Sequence, residues 1–346
     1  MLGLVWTTSI VLSSLSLAVM VFLVLRRVIF QRRVDRDAAA RRKLLKVLIQ
    51  FSQTRDRDLL KAAVLETPAH VALDAGFEFL SLLRGDEHAD VIAAFVECGL
   101  PERARRRLVK GNEAERIHST EMLAAFGGDE TVAALLATLD RDRSREVRIA
   151  AAIALSDLAA LPLLDVTLAR IGVAGQRSRR LIELFRRFPS PRFGELKDYA
   201  ADVEAVPFVR SAAIEALAQS GDPVFADFFG ELALHGPPEV AAAAVRGLGK
   251  IGLPSTAAIV VEAMSSSDWA VRSDAAEAAG RLGLAHLVDP LANLLDDEEW
   301  TVRYAAAKAL RAMVPHGEMA LEQIARSETS RRQRTASLVL SEGVHA

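Results

Sequence analysis

An arginine returns at a fixed interval through most of the chain, and that interval restricts what the chain can fold into. Arg148, Arg179, Arg210, Arg272, Arg303 and Arg334 share a 31-residue register in which Ala241 holds the one remaining place, and Arg116 precedes Arg148 by 32. Valine stands one residue earlier at Val147, Val209, Val240, Val271 and Val302, and glycine eleven later at Gly127, Gly221, Gly252 and Gly283. A period of this length marks stacked supersecondary units. Each unit reads as two helices. The arginine opens the first, whose alanines allow close approach to a neighbour. Asp268, Glu299 or Pro238 sits at its first turn, where helix starts favour an acid or a proline. The glycine ends it, because glycine enters the left-handed region at least cost. Leu287, Leu291, Leu294 and Leu295 carry the helical spacing of the second. Neither helix can cover its apolar face alone, so the fold class is all-α: an α-solenoid of helical hairpins.

The helical repeat also selects a candidate surface. Positions one, five and nine after the arginine lie about one turn apart and share a face. Small residues fill the positions between, so this stripe is expected to meet solvent. In the later units it is mostly polar, as in Ser211, Glu215 and Gln219 or Ser273, Glu277 and Arg281. In the first two it holds Ile149, Ile153, Leu184 and Phe188 beside Arg180 and Arg187. An exposed apolar patch rimmed by charge marks an interaction site, and these six residues are the candidate partner-binding set. A second reading stays open. The unit around Arg179 carries Leu181, Ile182, Phe185 and Arg186 in place of small residues, and such a unit can turn the same side chains into the core. The repeated arginine itself is expected to be structural, reaching a carboxylate or carbonyl of an adjacent turn, with Asp296 and Asp297 as candidate partners.

The segment Trp269-Ala-Val-Arg-Ser-Asp-Ala-Ala-Glu-Ala-Ala-Gly-Arg-Leu-Gly283 and its return from Trp300 as Trp-Thr-Val-Arg-Tyr-Ala-Ala-Ala-Lys-Ala-Leu resemble HEAT repeats, particularly the shorter phycobilisome-lyase type. The resemblance runs from about Asn112 to the C-terminus and implies a solenoid of HEAT-like hairpins. Its matched positions are structural, so it implies little about activity. The enzymatic alternative it raises is a bilin lyase-like protein.

From Leu2 to Leu25 the chain carries no charge. At about 1.5 Å per residue such a run crosses a hydrocarbon core of roughly 30 Å, and residues 1–25 are read as a transmembrane helix. A cleaved signal peptide is the rival, but no basic residue precedes the run, and it continues past the small residues Ser16 and Ala18. Arg26, Arg27, Arg32 and Arg33 flank it on the C-terminal side. Positive charge stays inside, so the expected arrangement is a single-pass protein of the inner (cytoplasmic) membrane with a cytoplasmic C-terminal domain. The basic neck can also meet anionic headgroups. The organisation read from sequence is therefore a span at 1–25, a basic juxtamembrane helix at 26–52, degenerate helical repeats at 53–111 and HEAT-like repeats at 112–346. Within the third segment, residues 59–66, 70–83, 88–99 and 102–110 read as helices.

Nothing in the sequence assembles a catalytic site. A formal net charge of −2 supplies no field for nucleic acid. The single cysteine, Cys98, lies in an apolar helix and reads as an inert core thiol. No two of the seven histidines stand at metal-ligand helical spacing. None is followed by glutamate, the dipeptide through which HEAT-like deoxyhypusine hydroxylases bind iron. Arg103, Arg105, Arg106, Arg107 and Lys110 form a basic run without interleaved aromatics, which reads as a solvated helix face. No catalytic residue, metal or cofactor is assigned. The expected function is a membrane-tethered, non-enzymatic protein–protein interaction scaffold, an accessory of a membrane or envelope complex such as one for polysaccharide synthesis.

Overall fold

The computed structural model describes residues 2–173, 178–327 and 330–342, with backbone alone for residues 2–14, Ala18 and Asp86. Among the described residues there are helices and turns and no strand. The chain forms two compact units, residues 1–135 and 136–346. The division falls inside a helix and lies later than the boundary read at 112.

The first unit begins with α1 (Leu2–Thr54), followed by α2 (Arg57–Glu66), α3 (Ala69–Leu82), α4 (Asp86–Glu97), α5 (Leu100–Lys110) and α6 (Glu113–Phe126). The division crosses α7 (Asp129–Arg141). The helices read from 59–66 to 102–110 are therefore present, each within a few residues of its expected ends. Leu44, Leu48 and Phe51 recur at helical spacing on α1 and are buried, whereas Leu15, Leu17, Val19 to Leu25, Val28, Ile29 and Phe30 on the same helix are exposed. Caps mark the starts. The Asp56 carboxylate accepts the Leu59 N–H at 3.0 Å, and Asn112 with Glu115 forms a reciprocal capping box. Most of the predicted span at 2–25 falls on residues whose side chains lie outside the described ones. Among the described residues no helix is long and apolar enough to cross a membrane.

The second unit holds the register. Its arginine-led helices are α8 (Arg145–Asp157), α10 (Arg179–Arg186), α12 (Pro207–Gln219), α14 (Pro238–Ile251), α16 (Trp269–Leu282), α18 (Trp300–Ala312) and α20 (Arg331–Glu342). They alternate with α9 (Leu164–Ile171), α11 (Phe193–Ala201), α13 (Ala226–His235), α15 (Ala257–Ala263), α17 (Val288–Asn293) and α19 (His316–Ala325). The predicted terminators behave as the physics requires: Gly221, Gly252 and Gly283 adopt φ of 65°, 70° and 65°. Each is followed by a short 3₁₀ turn, at Pro223–Phe225, Pro254–Thr256 and Ala285–Leu287, that redirects the chain into the second helix.

Successive arginine-led helices pack through small side chains. On α14, Val240 to Val245 are all buried, four of the six being alanine. Two helical glycines mark the closest approaches. A Cβ on Gly249 would stand 2.8 Å from the Ala278 Cα, and one on Gly280 would stand 2.8 Å from the Ala309 Cβ and 2.9 Å from its Cα. These glycines occupy the eighth position after the register residue in adjacent units, so each repeat brings its helix against the next at the same height. Glycine in a helix interior ordinarily costs about 1 kcal/mol relative to alanine. Here the added methyl has no room, and Gly280→Val is expected to destabilise the protein by about 1–3 kcal/mol, read as a lowered midpoint in chemical denaturation. An unchanged or raised midpoint would remove the close-approach account.

Candidate functional site

The register arginines tie each arginine-led helix to the chain around it. Arg148 donates to the carbonyls of Asp142 and Ile171 at 2.6 and 2.8 Å, and Arg210 to that of Ala200 at 2.9 Å. Arg303 donates to the carbonyls of Asp297 and Glu298, both at 2.7 Å. Arg272 adds a carboxylate. Its Nε and Nη2 grip Asp297 at 2.7 and 2.9 Å while its Nη1 reaches the carbonyls of Ser266 and Ser267. Burial pushes the Asp297 carboxyl upward, but the Arg272 fork and the Glu299 N–H outweigh it and hold the group below its ordinary value. The expected structural role of the arginines, and the choice of Asp297, therefore stand. Asp296 instead accepts from Arg332 at 3.1 Å.

The candidate stripe divides by position. Four of the first-position residues, Ile149, Ser211, Ala242 and Ser273, are buried, whereas Arg180 and Tyr304 are half-buried. The buried four face the adjoining chain instead of solvent; Ser211 Oγ, for example, donates to the Glu239 carbonyl at 2.9 Å. The fifth and ninth positions of the later units are half-buried or exposed, as in Glu215, Arg246, Glu277 and Lys308. There Arg246 lies between Glu215, at 2.6 Å, and Asp274. Burial raises the Asp274 carboxyl in spite of Arg246, while Arg246 itself, shared by two carboxylates, is held more firmly charged.

The apolar patch expected in the first two units is not on the surface. Ile149, Leu184 and Phe188 are in the core and Ile153 is half-buried. Two causes account for this. The first position is buried at Ser211, Ala242 and Ser273 as well, and the same packing takes Ile149 inward. The irregular helix α10 is only eight residues long, so Phe188 lies beyond its end, out of helical register, and packs beneath the Arg192 guanidinium at 5.1 Å. Leu181 and Phe185 stand where most other units have alanine, and both are buried with Leu184. Of the charged members, Arg180 lies 3.8 Å from Glu146, and Arg187 bonds Glu183 at 2.7 Å and Asp157 at 2.9 Å. The six residues thus do not form one exposed surface.

In the first unit three members of the basic run are paired in place: Arg105 and Arg106 reach Glu102, and Arg107 bonds Asp74 at 2.6 Å. Asp74 also lies 3.4 Å from His118, which is 3.5 Å from Glu121 and meets the Phe77 ring edge-on. Asp74 and Glu121 hold the His118 imidazole up to about 9 against its partial burial. Cys98 is buried, and burial raises its thiol, the opposite of nucleophile activation. Because the folded pKa of His118 lies above its unfolded value near 6.5, its stabilisation is full below pH 6.5 and disappears as pH rises through about 9. His118→Gln is expected to lower the melting temperature at pH 6 and to have a much smaller effect at pH 10. Equal losses at both pH values would contradict the charged imidazole.

Comparison with known proteins follows this geometry. Residues 231–311, from the end of α13 nearly to the end of α18, match the family model described as HEAT repeats. No curated protein matches the sequence. Among solved structures, an engineered protein is 18% identical with a TM-score of 0.34, covering 86% of this chain and 98% of its own. Human deoxyhypusine hydroxylase in complex with glycerol is 17% identical with a TM-score of 0.25, over 74% of this chain and 99% of its own. Kap121p is 16% identical with a TM-score of 0.42, over 86% of this chain but only 41% of its own. At such scores none of the three lends an activity, ligand or partner to this chain. What the match itself carries is architectural: residues 231–311 are similar to HEAT repeats, and they coincide with the most regular part of the second unit.

Proposed function

We propose that the chain is a membrane-tethered, non-enzymatic scaffold or adaptor that holds a protein partner at the bilayer. The observation that carries the tether is the uncovered apolar run on α1. Leu15, Leu17, Val19 to Leu25, Val28, Ile29 and Phe30 are all exposed, whereas the apolar side chains of the packed helices are largely buried. Arg26, Arg27, Arg32 and Arg33 follow closely, the charge asymmetry of a cytoplasmic flank. An apolar helix surface of this length calls for lipid or another helix around it. The scaffold half of the reading is supported by the HEAT repeats at 231–311, whose stacked helices give much surface per residue. Tethering raises the effective concentration of a partner beside the membrane. An envelope assembly, such as one that makes polysaccharide, is the setting this arrangement suits, in the inner membrane with the C-terminal domain cytoplasmic.

The full chain is expected to sediment with membranes and to stay there through alkaline carbonate washing. A reporter active only in the cytoplasm, fused after Ala346, should be active, and a periplasmic one silent. Crosslinking in intact membranes should recover a protein partner. Release by carbonate would end the tether, and the reverse reporter pattern would end the orientation. The bilin lyase-like alternative is separately readable, since it requires the purified chain to bind a bilin.

A further inference from the structure

The apolar run of α1 ends in a hollow built half of carbon and half of guanidinium. It measures about 820 Å³ and is lined in part by Phe22, Arg26, Arg27, Ile29, Phe30 and Arg33. Phe22, Arg26, Ile29 and Arg33 recur three or four residues apart, which puts them on one face of the helix. At about 1.5 Å per residue, Arg33 lies roughly 10 Å beyond Arg26, a length comparable with the polar layer of one leaflet. Phe30, 66% exposed, stands between these arginines. Leu44 and Phe51 follow Arg33 by eleven and eighteen residues, about three and five turns, so this face continues into the one that packs against α2 and α3.

The arginines of this stretch are uncommitted. Five stand between positions 26 and 36 against one acid, Asp35, whose carboxylate accepts from the Gln31 amide at 3.4 Å. Arg26, Arg27, Arg32, Arg33 and Arg36 are exposed and form no ion pair among the described residues. Further along α1 the charges are spent within the unit: Asp37 meets His70 at 3.0 Å, Arg41 pairs with Glu78, and Lys43 with Glu66. We propose that the hollow is a seat for an anionic phospholipid, with its phosphate among Arg26, Arg27 and Arg33 and its acyl chains along Phe22 and the apolar run. A soluble anion or an acidic peptide matches only the guanidinium half and leaves the carbon half bare. A lipid with a cationic headgroup brings like charge toward three arginines. Arginine suits the position, because its stem lies along carbon while its fork reaches paired phosphate oxygens. The inference rests on the tether reading and gives the tether a lipid preference.

The test reconstitutes the full chain in phosphatidylcholine vesicles with a trace of spin-labelled phosphatidylglycerol or, separately, spin-labelled phosphatidylcholine, and compares the motionally restricted fractions. A preference of roughly fivefold for phosphatidylglycerol is expected, the order that one arginine near an anionic surface supplies, and it should shrink with added salt. Arg26→Gln with Arg33→Gln should cut it below about twofold. Arg32→Gln with Arg36→Gln removes as much charge outside the hollow and should leave most of the preference. Equal losses in the two double variants reveal a diffuse basic surface and overturn the seat, as does equal association of both lipids. Inorganic phosphate that abolishes the preference at constant ionic strength assigns the hollow to a soluble anion. A photo-crosslinker at Phe30 that captures protein and no phospholipid in intact membranes assigns it to a partner chain. Either result overturns the proposal. A chain that resists carbonate but shows no lipid preference defeats this inference alone. One that carbonate releases defeats the tether reading, and this inference with it.

Discussion

Arginine-to-carbonyl bonding at the start of four of these helices, α8, α12, α16 and α18, is the interaction on which the regular part of the second unit depends. A helix that stops leaves carbonyls without intrahelical partners, and a stack of short helices stops often. Arg148, Arg210, Arg272 and Arg303 answer this in the same way, each reaching carbonyls of a preceding turn from the first turn of its own helix. The guanidinium suits the task because it carries five donors in a planar fork and stays charged. One side chain can then satisfy two carbonyls and still hold a carboxylate, as Arg272 does with Asp297. Fixing the helix start also fixes which residues meet the next helix, so the close approaches of Gly249 on Ala278 and Gly280 on Ala309 follow from the same register.

That dependence explains what the sequence made legible. Positions with one physical job in every unit were readable, because repetition shows the job several times. The register arginines, the left-handed glycines at 221, 252 and 283, and the buried alanines of α14 are of this kind. The candidate surface was readable only in part. A helical-wheel argument treats every helix as facing one core, whereas these helices have neighbours on more than one side. The first stripe position therefore went inward at Ile149, Ser211, Ala242 and Ser273, while the fifth and ninth positions, with Tyr304 at the first, stayed at least partly at the surface in the later units. Phe188 was misplaced for a different reason. The pattern assumed a helix of standard length, and α10 ends at Arg186.

The acidic residues between helices show the same division between local and long-range causes. Asp268 is a helix cap and its effect is local: its carboxylate accepts the N–H groups of Ala270 and Val271. Asp297 looks the same in sequence, one of four consecutive acids before Trp300, yet its principal partner is Arg272, 25 residues earlier. The register separates the two roles: Glu299 follows Asp268 by 31 residues, whereas Asp297 takes the place that Ser266 holds in the unit before. The same spacing carries the loop of one unit onto the guanidinium of the last. Once that is seen, the identity of the residue at each loop position becomes informative unit by unit.

Function in such a stack is best sought where a unit departs from its neighbours, since shared positions are committed to holding the stack together. Three departures are available. The unit around Arg179 replaces small residues with large ones, but Leu181, Leu184 and Phe185 are spent on packing, so that departure is resolved inside the core. Helix α1 departs by leaving its apolar residues from Leu15 to Phe30 uncovered, and nothing among the packed helices accounts for them. The last unit departs from the four before it by placing an exposed Arg331 where Pro207, Pro238, Trp269 and Trp300 stand, a place that Arg145 holds at the start of the second unit. Of the three departures, only the first is absorbed by packing, and the proposed tether rests on the second.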